Sequence, residues 1–216
     1  MKGAVALVLA ATLACDLKPA PPPGDAAPVV VQPVRLRGTL LARDSSLVLV
    51  ACGTVAERVV TALPASGLRS ALVSVVGAAR DSMYVELLAD TAGARVVVHE
   101  TLYAMSLGEG SRCDRPRDAY EIEALGNEPF WRVTLDGTQL VLERPDYPRE
   151  IVFVADSSLT RGTLTTVVAH RNDGRAGELK LSIVRDACRD GMSDAWYPFR
   201  AEVRFGRSTL RGCARR

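Results

Sequence analysis

The chain has little of what most catalytic and metal-binding chemistry needs. Its 216 residues include two histidines, His99 and His170, and no Cys-x-x-Cys pair. Each histidine ends an apolar run, Val96–Val98 and Val167–Ala169, where a polar strand-end residue is the ordinary reading. A metal site would need further ligands at matching spacing, and no His lies beside a Cys. There is no Gly-x-Ser-x-Gly elbow and no Gly-rich phosphate loop. No cofactor is expected. Aromatic residues are 5% of the chain and the net charge is +2. That excludes both the stacking platforms and the basic stripe of a nucleic-acid binder. Of the 27 basic residues only Lys2, Lys18 and Lys180 are lysines, a bias that a GC-rich coding sequence explains without any arginine code.

Long apolar runs are also missing, except at the start. Met1-Lys2 is followed by an unbroken small and apolar run from Gly3 to Ala14, then Cys15. Twelve residues make a helix of ~18 Å, too short for the ~30 Å hydrocarbon core, so residues 1–14 read as a signal peptide. The close of the run resembles a lipobox, with Thr12 in place of the usual Leu. The resemblance implies that Cys15 is lipidated and anchors the chain to a membrane; ordinary secretion is the plainer alternative. Residues 15–33 then read as a Pro/Ala-rich tether, extended and without periodicity. Asp16 after Cys15 resembles the signal that retains some lipoproteins at the inner membrane. A lipid-anchored protein of the bacterial cell envelope, facing the periplasm, is the expectation.

Four cysteines remain after Cys15: Cys52, Cys113, Cys188 and Cys213. An even number in an oxidising compartment reads as two disulfides. Four cysteines allow three connectivities, which sequence alone does not separate. The expected pairing is Cys52–Cys113 with Cys188–Cys213, because each pair then closes one half of the chain. The chain-entropy estimate is about 4.3 kcal/mol for the first closure and about 3.5 kcal/mol for the second.

Alternating apolar and polar residues predict a mostly β protein of two small antiparallel barrel modules, 34–114 and 118–214, divided near Arg115–Asp118. In the first, strands are expected over Val34–Ala42, Leu47–Cys52, Glu57–Thr61, from Met83 through Leu87, and over Arg95–Met105. Leu68, Leu72, Val75, Val76 and Ala79 share one helical face. Three strands, a helix and two strands is the order of an OB-like barrel. In the second, about eight strands are expected, among them Tyr120–Ala124, Trp131–Leu135, Gln139–Glu143, Ile151–Val154, Thr163–Ala169, Leu179–Ile183, Tyr197–Phe205 and Thr209–Cys213. Asp136-Gly137 and Phe205-Gly206 are turn signals.

Two motifs remain, Gly126-Asn127-Glu128-Pro129-Phe130-Trp131 and Cys188-Arg189-Asp190-Gly191-Met192-Ser193-Asp194-Ala195-Trp196-Tyr197-Pro198-Phe199, with Gly212-Cys213-Ala214 closing the chain. Together they resemble a family of uncharacterised bacterial envelope lipoproteins carrying GNEPFW and C-x-DGMSD-x-x-YPF…GCA, over roughly residues 118–214. The resemblance implies an envelope lipoprotein and no particular biochemistry. The first half loosely resembles the barrel modules of copper-responsive stress-signalling envelope lipoproteins. Their Cys-x-x-Cys is absent here, so copper sensing does not carry over.

Read physically, the motifs serve either the fold or a site. As fold determinants, Gly126 and Gly191 suit positive φ, Asn127 suits bonding its own turn backbone, Phe130 and Trp131 suit burial at a barrel end, Asp194 suits a tight loop as acceptor of backbone N–H groups, and Pro198 suits a strand start or edge. As a site, Glu128, Asp194, Trp131 and Trp196 would share one rim with Asn127, Phe130, Met192, Ser193 and Tyr197, suited to a small polar or cationic ligand or to an envelope protein. A binding module without catalytic activity is the expected function. The alternatives are an interaction protein, of the stress-signalling or cell-wall-hydrolase-inhibitor kind, and a hydrolase using Glu128 and Asp194 as a carboxylate pair.

Overall fold

The computed structural model describes residues 32–44, 46–76, 82–107, 113, 120–146 and 150–216. The expected signal peptide, Cys15, the tether as far as residue 31, Ala79 and the boundary at 115–118 lie outside them. Residues 32–216 form one compact unit. Among the described residues, no helix is long and apolar enough to cross a membrane.

The first half contains β1 (Val34–Arg43), β2 (Ser46–Ala51), β3 (Glu57–Ala62), helix α1 (Leu68–Val76), β4 (Ser82–Ala92) and β5 (Arg95–Ser106). The strands close in the order β1-β2-β3-β5-β4-β1, which is the OB-like arrangement. All pairings are antiparallel except β3 with β5, which run parallel. The connection through α1 and β4 is what turns β5 back alongside β3. Leu68 and Ala71 of α1 are buried in this barrel, and Leu72 and Val75 pack against it.

The second half contains β6 (Ile122–Asn127), β7 (Phe130–Asp136), β8 (Gln139–Glu143), β9 (Ile151–Arg161), β10 (Leu164–Arg171), β11 (Glu178–Asp190), β12 (Ala195–Phe205) and β13 (Ser208–Arg215). Each strand pairs antiparallel with the next, and β13 returns to β6, so the eight strands close an up-and-down barrel. Closure leaves no strand edge exposed. The hairpins are tight. Asp136 pairs with Gln139, Arg161 with Leu164 and Phe205 with Ser208. The first turn residues, Gly137, Gly162 and Gly206, have φ of 56°, 59° and 59°, the geometry two-residue hairpins require. The interior is filled: Trp131, Phe153, Phe199, Leu140, Leu142, Leu179 and Leu181 are among its fully buried side chains.

The two halves share their sheet and their core. Trp196 of β12 pairs with Ala104 of β5. Its indole belongs to the first barrel's core, where Nε1 donates to Ser70 Oγ at 3.2 Å. A third cluster joins Tyr84, Tyr103 and Met105 to Cys188, Ala195, Tyr197 and Cys213. Both disulfides border it: Cys52–Cys113 and Cys188–Cys213, as the half-by-half pairing predicts.

Beside that cluster runs an ionic chain. Arg215 Nε donates to Glu123 at 2.6 Å and Nη1 to Glu86 at 3.1 Å. Arg132 pairs with Glu123 at 2.8 Å and Glu143 at 3.3 Å. Burial pushes the Glu123 carboxyl up, but Arg215 and Arg132 together hold it below its ordinary 4.5. Burial would lower the Arg215 guanidinium, and Glu123 and Glu86 hold it above its ordinary value. The Arg215 guanidinium also lies 4.8 Å from the Tyr103 ring centroid, a cation–π contact. Burial, then the Glu86 charge, pushes the Tyr84 hydroxyl up to about 12. Tyr197 is driven upward too, first by burial and next by Tyr103.

Candidate functional site

The two motifs meet outside the barrel. β11 runs past a register shift between Arg185 and Cys188, and this bulged end carries Cys188–Asp190 beyond the barrel wall. The outward residues Ser182, Val184, Arg200, Glu202 and Arg211 of β11, β12 and β13 form a floor. The segments Leu125–Glu128 and Cys188–Met192 border it. Together they line a cleft of about 820 Å³, with the Cys188–Cys213 disulfide in its wall.

Asp190 holds the cleft's two margins together. It is 8% exposed. Its carboxylate accepts from the Asn127 side-chain amide, from Met192 N–H at 3.2 Å and from the Ser193 hydroxyl. The bond to Met192, two residues on, is an Asx-turn; the bond to Asn127 joins the second motif to the first. Each of these donors is neutral.

Two motif glycines are set by close approach rather than by positive φ. At Gly126 a Cβ would stand 2.4 Å from Trp131 Nε1, and at Gly212 it would stand 1.9 Å from the carbonyl oxygen of Leu125. Neither Gly126 nor Gly191 has a positive φ, contrary to expectation. Asp194 is the motif residue in that region, with φ 53°. Nor does Asp194 act as the loop's backbone acceptor, a role that falls to Asp190. Asp194 instead pairs with Arg189 at 2.6 Å. Pro198 lies inside β12, not at a strand start, at the register shift opposite Arg185–Cys188. There a missing N–H is tolerated.

The expected rim divides. Asn127, Glu128 and Met192 line the cleft. Glu128 is exposed and makes no ion pair among the described residues, and Met192 is 78% exposed. Ser193 supports the margin from behind through Asp190. Phe130 is half-exposed on β7 and is not part of the lining. Trp131, Trp196 and Tyr197 are buried at 1%, 3% and 5% exposure, so they are core residues rather than rim residues. Trp131 fills the second barrel, Trp196 the first, and Tyr197 the cluster between them. Asp194 is not in the lining either, so the Glu128–Asp194 carboxylate pair does not converge on this cleft.

Sequence reasoning missed Asp190, Arg200, Glu202 and Arg211. Asp190-Gly191 carried a signal, since Asp before Gly is an Asx-turn pattern. The other three are outward residues of two strands, Arg200 and Glu202 on β12 and Arg211 on β13, and nothing local marks a floor. Among the described residues, no group of three or more His, Cys, Asp or Glu could hold a metal ion. No family model, curated protein or solved structure matches the chain.

Proposed function

We propose that this is a lipid-anchored, periplasm-facing envelope protein that works by binding rather than catalysis, through the cleft between Leu125–Glu128 and Cys188–Met192. The observation that carries the reading is convergence. Two motifs 63 residues apart are joined by the Asn127–Asp190 bond and border one cleft of about 820 Å³. That size is typical of small-molecule sites. Two disulfides support an oxidising compartment. The non-catalytic part is supported by the separation of Asp194 from the cleft and by the engagement of Asp190 in holding turns.

The filled interior of the second barrel favours a second reading, an interaction protein of the envelope. A barrel that carries its ligand inside needs an open lumen, and this one is packed with Trp131, Phe153 and leucines. A stress-signalling role or inhibition of a cell-wall hydrolase belongs to this reading.

The test is native mass spectrometry of the full chain taken from the envelope, beside Gly191→Trp. A Cβ at Gly191 meets nothing within 4 Å, so the indole can occupy the cleft without disturbing the core. A co-purifying species lost in the variant, with unchanged circular dichroism, is expected. Retention of that species by the variant overturns the assignment to this cleft. The same spectra report the mass of a lipid on Cys15, and a Cys15→Ser chain still held in the membrane fraction overturns the anchoring.

A further inference from the structure

The charges around the cleft specify a class of occupant. Each arginine of the lining already carries a carboxylate: Arg189 with Asp194 and Arg200 with Asp186, both at 2.6 Å, and Arg211 with Glu202 at 3.2 Å. A phosphate or polyanion is best held by converging guanidinium groups that carry no carboxylate of their own, and here each carries one. The pairings are unequal, however. Glu202 is shared between Arg211 and Arg204, the latter at 2.7 Å. The Arg211 side chain is 79% exposed, and among the described residues only its Nε is engaged. Most of its five donors remain available.

The opposite charge at the margin is Glu128, exposed and without an ion pair among the described residues. Asp190 does not duplicate it, because three neutral donors already occupy that carboxylate. Glu128, without an ion pair among the described residues, and Arg211, the lining arginine whose carboxylate is shared with another arginine, therefore border the same floor. The floor is apolar at Val184, the disulfide lies in the wall, and Met192 lines the margin. An exposed thioether adapts to apolar groups of different shape. Asn127 spends its amide N–H on Asp190, which leaves its oxygen to accept from a ligand N–H.

We propose that the cleft binds a short zwitterionic peptide, its ammonium on Glu128, its carboxylate on Arg211 and an apolar side chain against Val184 and Met192. The proposal rests on the cleft being the binding site.

The experiment uses the full chain with carbon-13 at the methionine methyls. Of the four methionines, Met1 lies in the expected signal peptide and Met83 and Met105 are buried at 1% and 6% exposure, so the exposed Met192 methyl, assigned by its loss in Met192→Leu, reports the cleft. The probes are the tripeptide Ala-Leu-Ala, its N-acetylated and C-amidated forms, and hexanol as an uncharged apolar probe. Ala-Leu-Ala should shift the Met192 methyl saturably. N-acetylation or Glu128→Gln should weaken binding at least tenfold, and acetylation should cost nothing further on the Glu128→Gln chain. C-amidation and Arg211→Gln should form the same kind of pair. Equal binding of the acetylated and free peptides overturns the proposal. So does a response to hexanol with none to the peptide, and in that case the cleft remains a binding site. Silence of Met192 toward every probe overturns both the proposal and the reading beneath it.

Discussion

The side-chain amide of Asn127 donates to the carboxylate of Asp190, joining the turn after β6 to the turn after β11 across 63 residues of chain. Asp190 also accepts from Met192 N–H and Ser193 Oγ, so one buried carboxylate satisfies three donors. Asp190→Ala should destabilise the chain by about 2–3 kcal/mol, because bonds to a charged acceptor are strong and the donors are left without it. Asn127→Ala should cost about 1–2 kcal/mol. The double variant should cost less than the sum, since both remove the same bond. Urea midpoints at constant slope measure all three. Additive losses would show that the two turns are held independently.

Trp196 stands in the second motif but fills the first barrel, against Gly67 and beneath α1. Trp196→Ala should cost about 3–5 kcal/mol, the range for emptying a large buried aromatic site. The loss falls on the contact between halves. Calorimetry of the variant should therefore resolve the single unfolding transition into two, with the first half melting earlier. A single transition shifted as a whole would place the coupling elsewhere, in the Arg215 ionic chain.

Much of this fold was legible because strand alternation and turn residues act locally. Val34, Leu36, Gly38 and Leu40 declare a strand, and Leu68, Leu72 and Val75 declare the helix, with no help from distant residues. β9 and β11 extend beyond the expected Ile151–Val154 and Leu179–Ile183 for one physical reason. Each runs through a register shift, near Val168/Ala169 on the partner of β9 and at Arg185/Cys188 in β11, where alternation breaks. The site was legible only in outline. The motif sequences identify both margins of the cleft, but Trp131, Trp196 and Tyr197 are equally good core residues, and burial assigns them there. Local pattern does not show that Arg211 and Glu202 lie side by side on β13 and β12.

Glu123 contributes to the acid end of the stability profile, and Tyr84 contributes to the alkaline end beside Tyr197. Glu123 is held below its ordinary 4.5 in the folded chain by Arg215 and Arg132. Its contribution is present above that value and is lost as pH falls through the lowered folded value, once the carboxylate protonates. Tyr84 is raised from 10.0 to about 12 by burial and then by Glu86. Its contribution is whole below pH 10 and is lost as pH climbs toward 12, because the unfolded chain releases the proton first. Arg215→Gln should lower the midpoint at neutral pH and flatten the acid limb, because the folded value of Glu123 then returns toward its unfolded one. Tyr84→Phe should flatten the alkaline limb in part, Tyr197 keeping its share, while leaving the acid limb unchanged. Thermal midpoints across pH measure both, and an unchanged acid limb in Arg215→Gln would remove Glu123 from the account.

Removing the Cys188–Cys213 bridge as Cys188→Ala/Cys213→Ala should cost about 3.5 kcal/mol by the loop-entropy estimate. The bridge ties β11 to β13 where β12 bends away to pair with β5, and it forms part of the cleft wall. Hydrogen exchange should therefore rise first in Cys188–Met192 and spare β7 and β8. Uniform loss of protection would mean that the bridge acts on the unfolded chain alone.

The motif glycines separate two uses of the same residue type. At Gly212 a Cβ would meet Leu125 backbone at 1.9 Å, and backbone has no rotamer to move aside. At Gly191 a Cβ meets nothing within 4 Å, and its φ lies outside the left-handed region. Gly212→Ala should therefore cost roughly 3 kcal/mol, the upper end for overpacking, and open the β13–β6 seam that closes the barrel. Gly191→Ala should fall within about 0.5 kcal/mol of the parent, as surface substitutions do. Chemical denaturation of the two variants decides the matter. A Gly191→Ala loss as large as that of Gly212→Ala would mean that the cleft margin carries strain on a par with the barrel seam. A small loss at Gly212 would mean that β13 can shift off β6 without cost, and closure of the barrel would then not depend on bare backbone at that crossing.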